Sequence, residues 1–179
     1  MSSIQLSPHH LNIRIQDYNT GYINGDYTLP VWQRQDCWGK TDYRKSLIES
    51  IMMGIDLPKI YIGNIQDMGK VIIDGGHRTR AINAYLNNEY PISIIDDTED
   101  GPMEKMVYYS ESPTNTRKTR KMTDQERDYF NNYKLTICLY DSLEESMGRK
   151  IFNKLQNAVP MSVPDVVNSY VSELVDTFR

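Results

Sequence analysis

Cysteine is almost absent from this chain. Only Cys37 and Cys138 occur in 179 residues, which excludes a disulfide framework and points to a reducing compartment. Histidine is nearly as sparse: His9 and His10 are adjacent, and His77 stands alone. Two neighbouring imidazoles do not make a metal site, and neither cysteine falls at a ligand spacing from His77. No apolar run reaches transmembrane length. The first residues, Met1-Ser2-Ser3-Ile4-Gln5, lack the basic and apolar regions of a signal peptide. Excess positive charge is missing too. A formal net charge of −4 excludes a wholly basic nucleic-acid coat and leaves room for a local basic face. The expectation is a cytoplasmic protein, or one working inside the host cell if viral, with no membrane partner.

What is present is ordinary for a globular protein: 39% apolar and 25% charged residues. The length suits one domain. Residues 1–26 are polar, with turn signals at Asn19-Thr20-Gly21 and Asn24-Gly25-Asp26, and read as an irregular N-terminal arm. Residues 27–179 then form the domain. The final helical pattern, from Val163, runs to the last residue, so the chain is expected to be the N-terminal part of a longer protein.

The chain is organised around residues 71–86. Val71-Ile72-Ile73 is a β-branched run that ends in Asp74-Gly75-Gly76. Ala81, Ile82, Tyr85 and Leu86 then recur at helical spacing. The pattern predicts strand, glycine turn, helix. Paired glycines allow positive φ and close approach of the backbone to a ligand. The first turn of a helix has N–H groups without intrahelical partners, which favour an anion. His77, Arg78 and Arg80 lie on or beside that turn. One reading is a phosphate or nucleotide pocket. The other is a tight turn followed by a basic, solvated helix start.

Asp74-Gly75-Gly76-His77-Arg78 resembles the Asp-Gly-Gln-Gln-Arg motif of the N-terminal domain of GmrSD-type restriction enzymes. It is also similar to the Gly-x-x-Arg-x-Arg-Ala box of ParB, matched by Gly75, Arg78, Arg80 and Ala81. Two further motifs follow the GmrSD pattern in the right order. Leu29-Pro30-Val31-Trp32-Gln33-Arg34 with Trp38 resembles Ile-Pro-x-Tyr-Gln-Arg-x-x-x-Trp. Phe152, Leu155 and Gln156, with Asn157 beside it, resemble Phe-x-x-Leu-Asn. Leu47, Ile48, Ser50, Ile51, Gly54, Leu57 and Pro58 fit the family's intervening segment.

The resemblance implies an α+β fold of ParB/sulfiredoxin-like type, a small mixed sheet flanked by helices. It implies a nucleotide-binding, NTP-hydrolysing module of a DNA-directed restriction, defence or viral system. Arg34, Gly75, Gly76, Arg78, Arg80 and Asn157 would bind nucleotide phosphates, and a nucleoside triphosphate would bring Mg²⁺. Asp74 would ligate Mg²⁺ or polarise a water, and His77 would serve as general base. The amide at position 156 or 157 would contact the nucleotide, hold the glycine box, or cap its own helix. The family's two Gln residues are Gly76 and His77 here. Gly76 also stands where sulfiredoxin has its reactive cysteine, which excludes that chemistry. GmrSD-type enzymes cut DNA with a separate His-Asn-His domain. Three histidines cannot supply one, so a partner nuclease subunit or domain is expected.

The rest of the chain reads as scaffold, with one basic segment. Thr41 is expected to cap a helix over 42–53, stopped by Gly54. Strands are expected at 60–64, 91–95 and 135–140, with an edge strand at 106–109. Asp96, Asp97, Glu99 and Asp100 form an acidic turn. Arg117, Lys118, Arg120 and Lys121 suit a DNA backbone or a solvated loop equally. Capping boxes begin at Thr123 and Ser142, and Cys138 reads as a small core residue. Two rival functions stand beside the lead. One is a non-catalytic DNA- or partner-binding module using the basic segment. The other is a DNA-nicking nuclease centred on the glycine box.

Overall fold

The computed structural model describes residues 6–32, 41–99, 101–112 and 116–156. The elements in order are β1 (His9–Arg14), α1 (Ile15–Ile23), α2 (Thr41–Met52), β2 (Ile60–Ile65), β3 (Gly69–Asp74) and α3 (Gly76–Leu86). They continue with β4 (Ile92–Thr98), β5 (Gly101–Tyr108), β6 (Thr119–Lys121), α4 (Asp124–Asn132), β7 (Lys134–Leu143) and α5 (Glu145–Gln156). The class is α+β, as the sequence implies. Among the described residues the strands form two mixed sheets, in the orders β1-β7-β2-β3 and β4-β5-β6.

β3 shows how the sequence pattern fixes the architecture. Val71, Ile72 and Ile73 are all fully buried, as a continuous apolar run demands when both faces of a strand are covered. Alternate side chains point to opposite faces. Ile72 joins the main core with Ile62, Ala81 and Ile82. Val71 and Ile73 join a second core with Ile65, Leu143 and Ile151. Each buried isoleucine contributes about 1.5–3 kcal/mol, so the strand is held from both sides. Its outer edge is covered by Thr28, whose N–H donates to Lys70 O while its carbonyl accepts from Ile72 N.

Several sequence expectations need correction. Residues 9–23 are not irregular: β1 pairs antiparallel with β7, and α1 buries Ile15 and Tyr18. A strand that is mostly exposed outside its pairing carries little hydrophobic signal, which is why it reads as an arm. Residues 106–108 belong to β5, the central strand of its sheet rather than an edge, and Tyr109 follows it. Ser142 does not start a helix, because β7 continues to Leu143 and α5 begins at Glu145. Its strand pairing with β2 outcompetes the local cap. The first capping box does form: Thr123 accepts from Glu126 N, and Glu126 accepts from Thr123 N. Gly54 ends α2 at φ +72°, Cys138 is buried, and the final helix from Val163 lies outside the described residues.

Candidate functional site

The strand–glycine–helix turn is present as expected. Gly75 caps α3 in the left-handed region at φ 106°. A Cβ there would sit 2.9 Å from Ile60 Cγ1, so both backbone and packing require glycine. The first helical bond runs from Thr79 N to Gly75 O. The amides of Gly76 and Arg78 therefore lie outside the helix ladder, and no Gly75 side chain exists to cap them.

The start of α3 is fastened within the helix and by α1. Thr79, 1% exposed, donates from Oγ1 to Gly75 O at 3.0 Å. The Tyr18 hydroxyl lies 2.8 Å from Thr79 Oγ1, and Asn83 Nδ2 donates to Asn19 Oδ1 at 3.1 Å. Helix α1 thus braces the box. Burial pushes the Tyr18 hydroxyl well above the usual tyrosine range, so it stays protonated and able to donate. Nothing in the sequence pattern marks Tyr18 or Thr79, because their partnership spans 61 positions.

Arg78 is turned into the protein, its side chain only 11% exposed. It donates from Nη1 to Pro58 O, from Nη2 to Lys59 O at 3.1 Å, and from Nη2 to Asp74 Oδ2 at 2.8 Å. Burial lowers its pKa from the ordinary guanidinium value and Asp74 opposes that shift; a guanidinium remains charged in proteins. Its side chain is first a clamp joining α3 to the turn before β2. The side chain organises the turn, and the Arg78 backbone amide has no partner in the helix ladder.

Asp74 is held on both oxygens. Oδ2 accepts from Arg78, and Oδ1 accepts from Gln156 Nε2 at 3.0 Å. Of the alternatives for this amide, Gln156 holds the glycine box. The second motif joins the same assembly. Trp32 packs edge-on to Phe152 with ring centroids 5.6 Å apart, and the Arg149 guanidinium lies 5.7 Å from the Trp32 ring centre. Trp32 is an anchor of the second core. The three sequence motifs therefore meet around β3 and α5. Arg34, Trp38 and Asn157 lie outside the described residues.

His77 and Arg80 are half-buried on α3. Arg80 Nη1 is buried without a hydrogen-bond partner among the described residues. Arg80 lies four residues after Gly76, on the same helix face. Among the described residues no three His, Cys, Asp or Glu side chains group to hold a metal. Asp74 alone would fit Mg²⁺ only as a partner to phosphate oxygens, the usual way that ion is bound with nucleotides.

The basic segment divides. Arg117, Lys118 and Lys121 are exposed. Arg120 is not available to a phosphate. Its Nε and Nη2 fork onto Asp96 at 2.7 Å each, Nη1 and Nη2 reach Glu126 at 2.7 and 2.8 Å, and Nη1 also reaches Lys121 O. That uses all five guanidinium N–H groups. Nor is the stretch simply a loop, since Thr119–Lys121 is β6, parallel to β5. Asp96 and Asp97 lie in β4 rather than in a turn.

The geometry defines an α+β domain built on a strand–glycine–helix turn, braced by an inward arginine and a distant amide. Residues 15–172 match the family model of the GmrSD restriction endonuclease N-terminal domain, and the chain belongs to that family. No curated protein matches the chain significantly. No helix among the described residues is long and apolar enough to cross a membrane.

Proposed function

We propose that this chain is a nucleotide-binding module of a DNA-directed restriction or defence system, with the phosphates seated at the start of α3. The observation that carries this reading is that the amides of Gly76 and Arg78, beyond the left-handed Gly75, have no partner in the helix ladder. Oriented amides and the helix dipole favour an anion there. The unpartnered Nη1 of Arg80 supports it with a nearby cation. With a triphosphate, Mg²⁺ would supply charge neutralisation, and Asp74 is the residue that would share it. Hydrolysis is the further part of the proposal, with His77 as the base. DNA cleavage is assigned to a partner nuclease.

A thermal-shift screen of the four ribonucleoside triphosphates with Mg²⁺ tests this. Ligand at about 100 times its Kd adds about 2.7 kcal/mol. A rise with at least one nucleotide is expected; no rise with any at millimolar concentration counts against the site. The exposure of Arg117, Lys118 and Lys121 favours a second reading, direct DNA binding. That binding would collapse with salt.

A further inference from the structure

A second surface lies along β4, the edge strand of the three-stranded sheet. Met106 N donates to Lys118 O, next to β6, so the Met106 amide faces away from β4. Its partner Ser93 is therefore in a non-hydrogen-bonded pair, and the backbone groups of Ser93 point to the free edge. Ser93 N is met there by Glu49 Oε1 from α2 at 3.3 Å. The same alternation turns the N–H and C=O of Ile95 and Asp97 outward. Their partners fit this, since Asp97 faces Pro102, which has no N–H to give. Among the described residues, these outward groups of Ile95 and Asp97 have no hydrogen-bond partner.

The surroundings specify what would pair with the edge. A groove of about 890 Å³ runs beside it, with Met52, Met53 and Ile95 among its walls. Met53 is 74% and Ile95 71% exposed. Methionine adapts to varied apolar partners. Two carboxylates converge on one serine: Glu49 on Ser93 N, and Glu104, which accepts from Ser93 Oγ at 2.5 Å. Asp97 in β4 and Glu99 in the turn after it extend the negative charge beyond Ser93.

We propose that β4 accepts an extended segment of a partner protein by strand addition, and that this segment sets basic side chains with apolar stems, such as lysine, on the face that Ile95, Asp97 and Glu104 share, with apolar side chains alternating between them. Strand addition uses backbone bonds for affinity and alternate side chains for selection. A second copy of this chain is disfavoured as the occupant. Antiparallel β4–β4 pairing would bring Asp97, Glu99 and the two glutamates against their own kind, and like charges across such a pair repel. The acid that blocks self-association selects a basic partner.

The probe is a peptide of about eight residues alternating Lys and Val, compared with its Glu/Val twin and with a backbone N-methylated version. Binding is measured by fluorescence anisotropy on the full chain, and the site by amide hydrogen exchange. The expected result is saturable binding of the Lys peptide with protection of the Ile95 and Asp97 amides. The Glu twin should bind at least about tenfold weaker, and the N-methylated version should not bind. Ile95→Pro removes an outward N–H and no internal bond, so it should fold and lose binding. Glu49→Gln with Glu104→Gln should weaken the Lys peptide and strengthen the Glu twin, narrowing the gap between them. No binding at millimolar peptide, binding indifferent to Ile95→Pro in a folded variant, or a helical bound peptide would overturn the proposal. So would concentration-dependent dimerisation that Ile95→Pro abolishes, since β4 would then pair with itself.

Discussion

Gln156 donates its side-chain amide to Asp74 Oδ1 at 3.0 Å, across 82 positions of the chain. Asp74 ends β3 and Gln156 ends α5. The bond ties the glycine turn to the second core and fixes which oxygen is left for Arg78. Gln156 is exposed, so its loss should have a modest effect. Gln156→Ala should cost about 1 kcal/mol in urea denaturation. Gln156→Glu should cost more at pH 7, because it replaces a donor to Asp74 with a second carboxylate.

Arg78→Ala should destabilise the fold by roughly 3 kcal/mol, because it strands a mostly buried carboxylate and two backbone acceptors. Arg78→Lys should recover little, since one ammonium cannot reproduce a planar fork spread over three acceptors. Chemical denaturation checks both. Wild-type stability in Arg78→Ala would show that the inward clamp contributes nothing to the fold.

Two glycines with positive φ should respond differently to alanine. Gly69, at φ +72° with open space where a Cβ would stand, would suffer only backbone strain, roughly 1–2 kcal/mol. Gly75, at φ +106°, adds a clash with Ile60, whose Cγ1, Cγ2 and Cβ would all lie within 3.3 Å of the new carbon. Gly75→Ala should therefore lower the melting temperature clearly more than Gly69→Ala in calorimetry. Equal losses would mean that Ile60 yields freely.

The Arg120 network gives a pH signature. Its hydrogen bonds hold the carboxyls of Asp96 and Glu126 below their ordinary values. Groups with lowered pKa contribute stability that is present above the unfolded-state value, about 4, and is lost as pH falls through the folded-state value. Arg120→Met should thus be less stable than wild type at pH 7, and the gap should narrow as pH falls below the ordinary carboxylate range. Urea titrations at pH 7, 5 and 3 follow it; a gap independent of pH would separate the network from stability.

The glycine turn is legible in the sequence because β-branched residues, paired glycines and a helical apolar stripe occupy one short segment, where local rules suffice. Thr123 and Glu126 are legible for the same reason. The role of Arg78 is not. A guanidinium beside a glycine turn reads as a phosphate ligand, and its bonds to the turn at Pro58 and Lys59, up to 20 positions away, show only in the fold. Arg120 misleads likewise, because its two acid partners are 24 and 6 residues off and its neighbours in sequence are exposed cations. β1 is hidden by its mostly exposed side chains. The identity of these residues is plain; their partners depend on tertiary contacts that no local window contains.

Whether α3 presents its first-turn amides to a nucleotide phosphate is tested most directly by NMR. Isotope-labelled protein is titrated with each Mg²⁺–nucleoside triphosphate while the backbone amides are followed. Saturable shifts are expected that are largest at Gly76 and Arg78, extend to Arg80, and persist at high salt. Shifts centred on Arg117, Lys118 and Lys121 that fade with salt, or no shifts with any of the four nucleotides, would contradict a phosphate site at the start of α3.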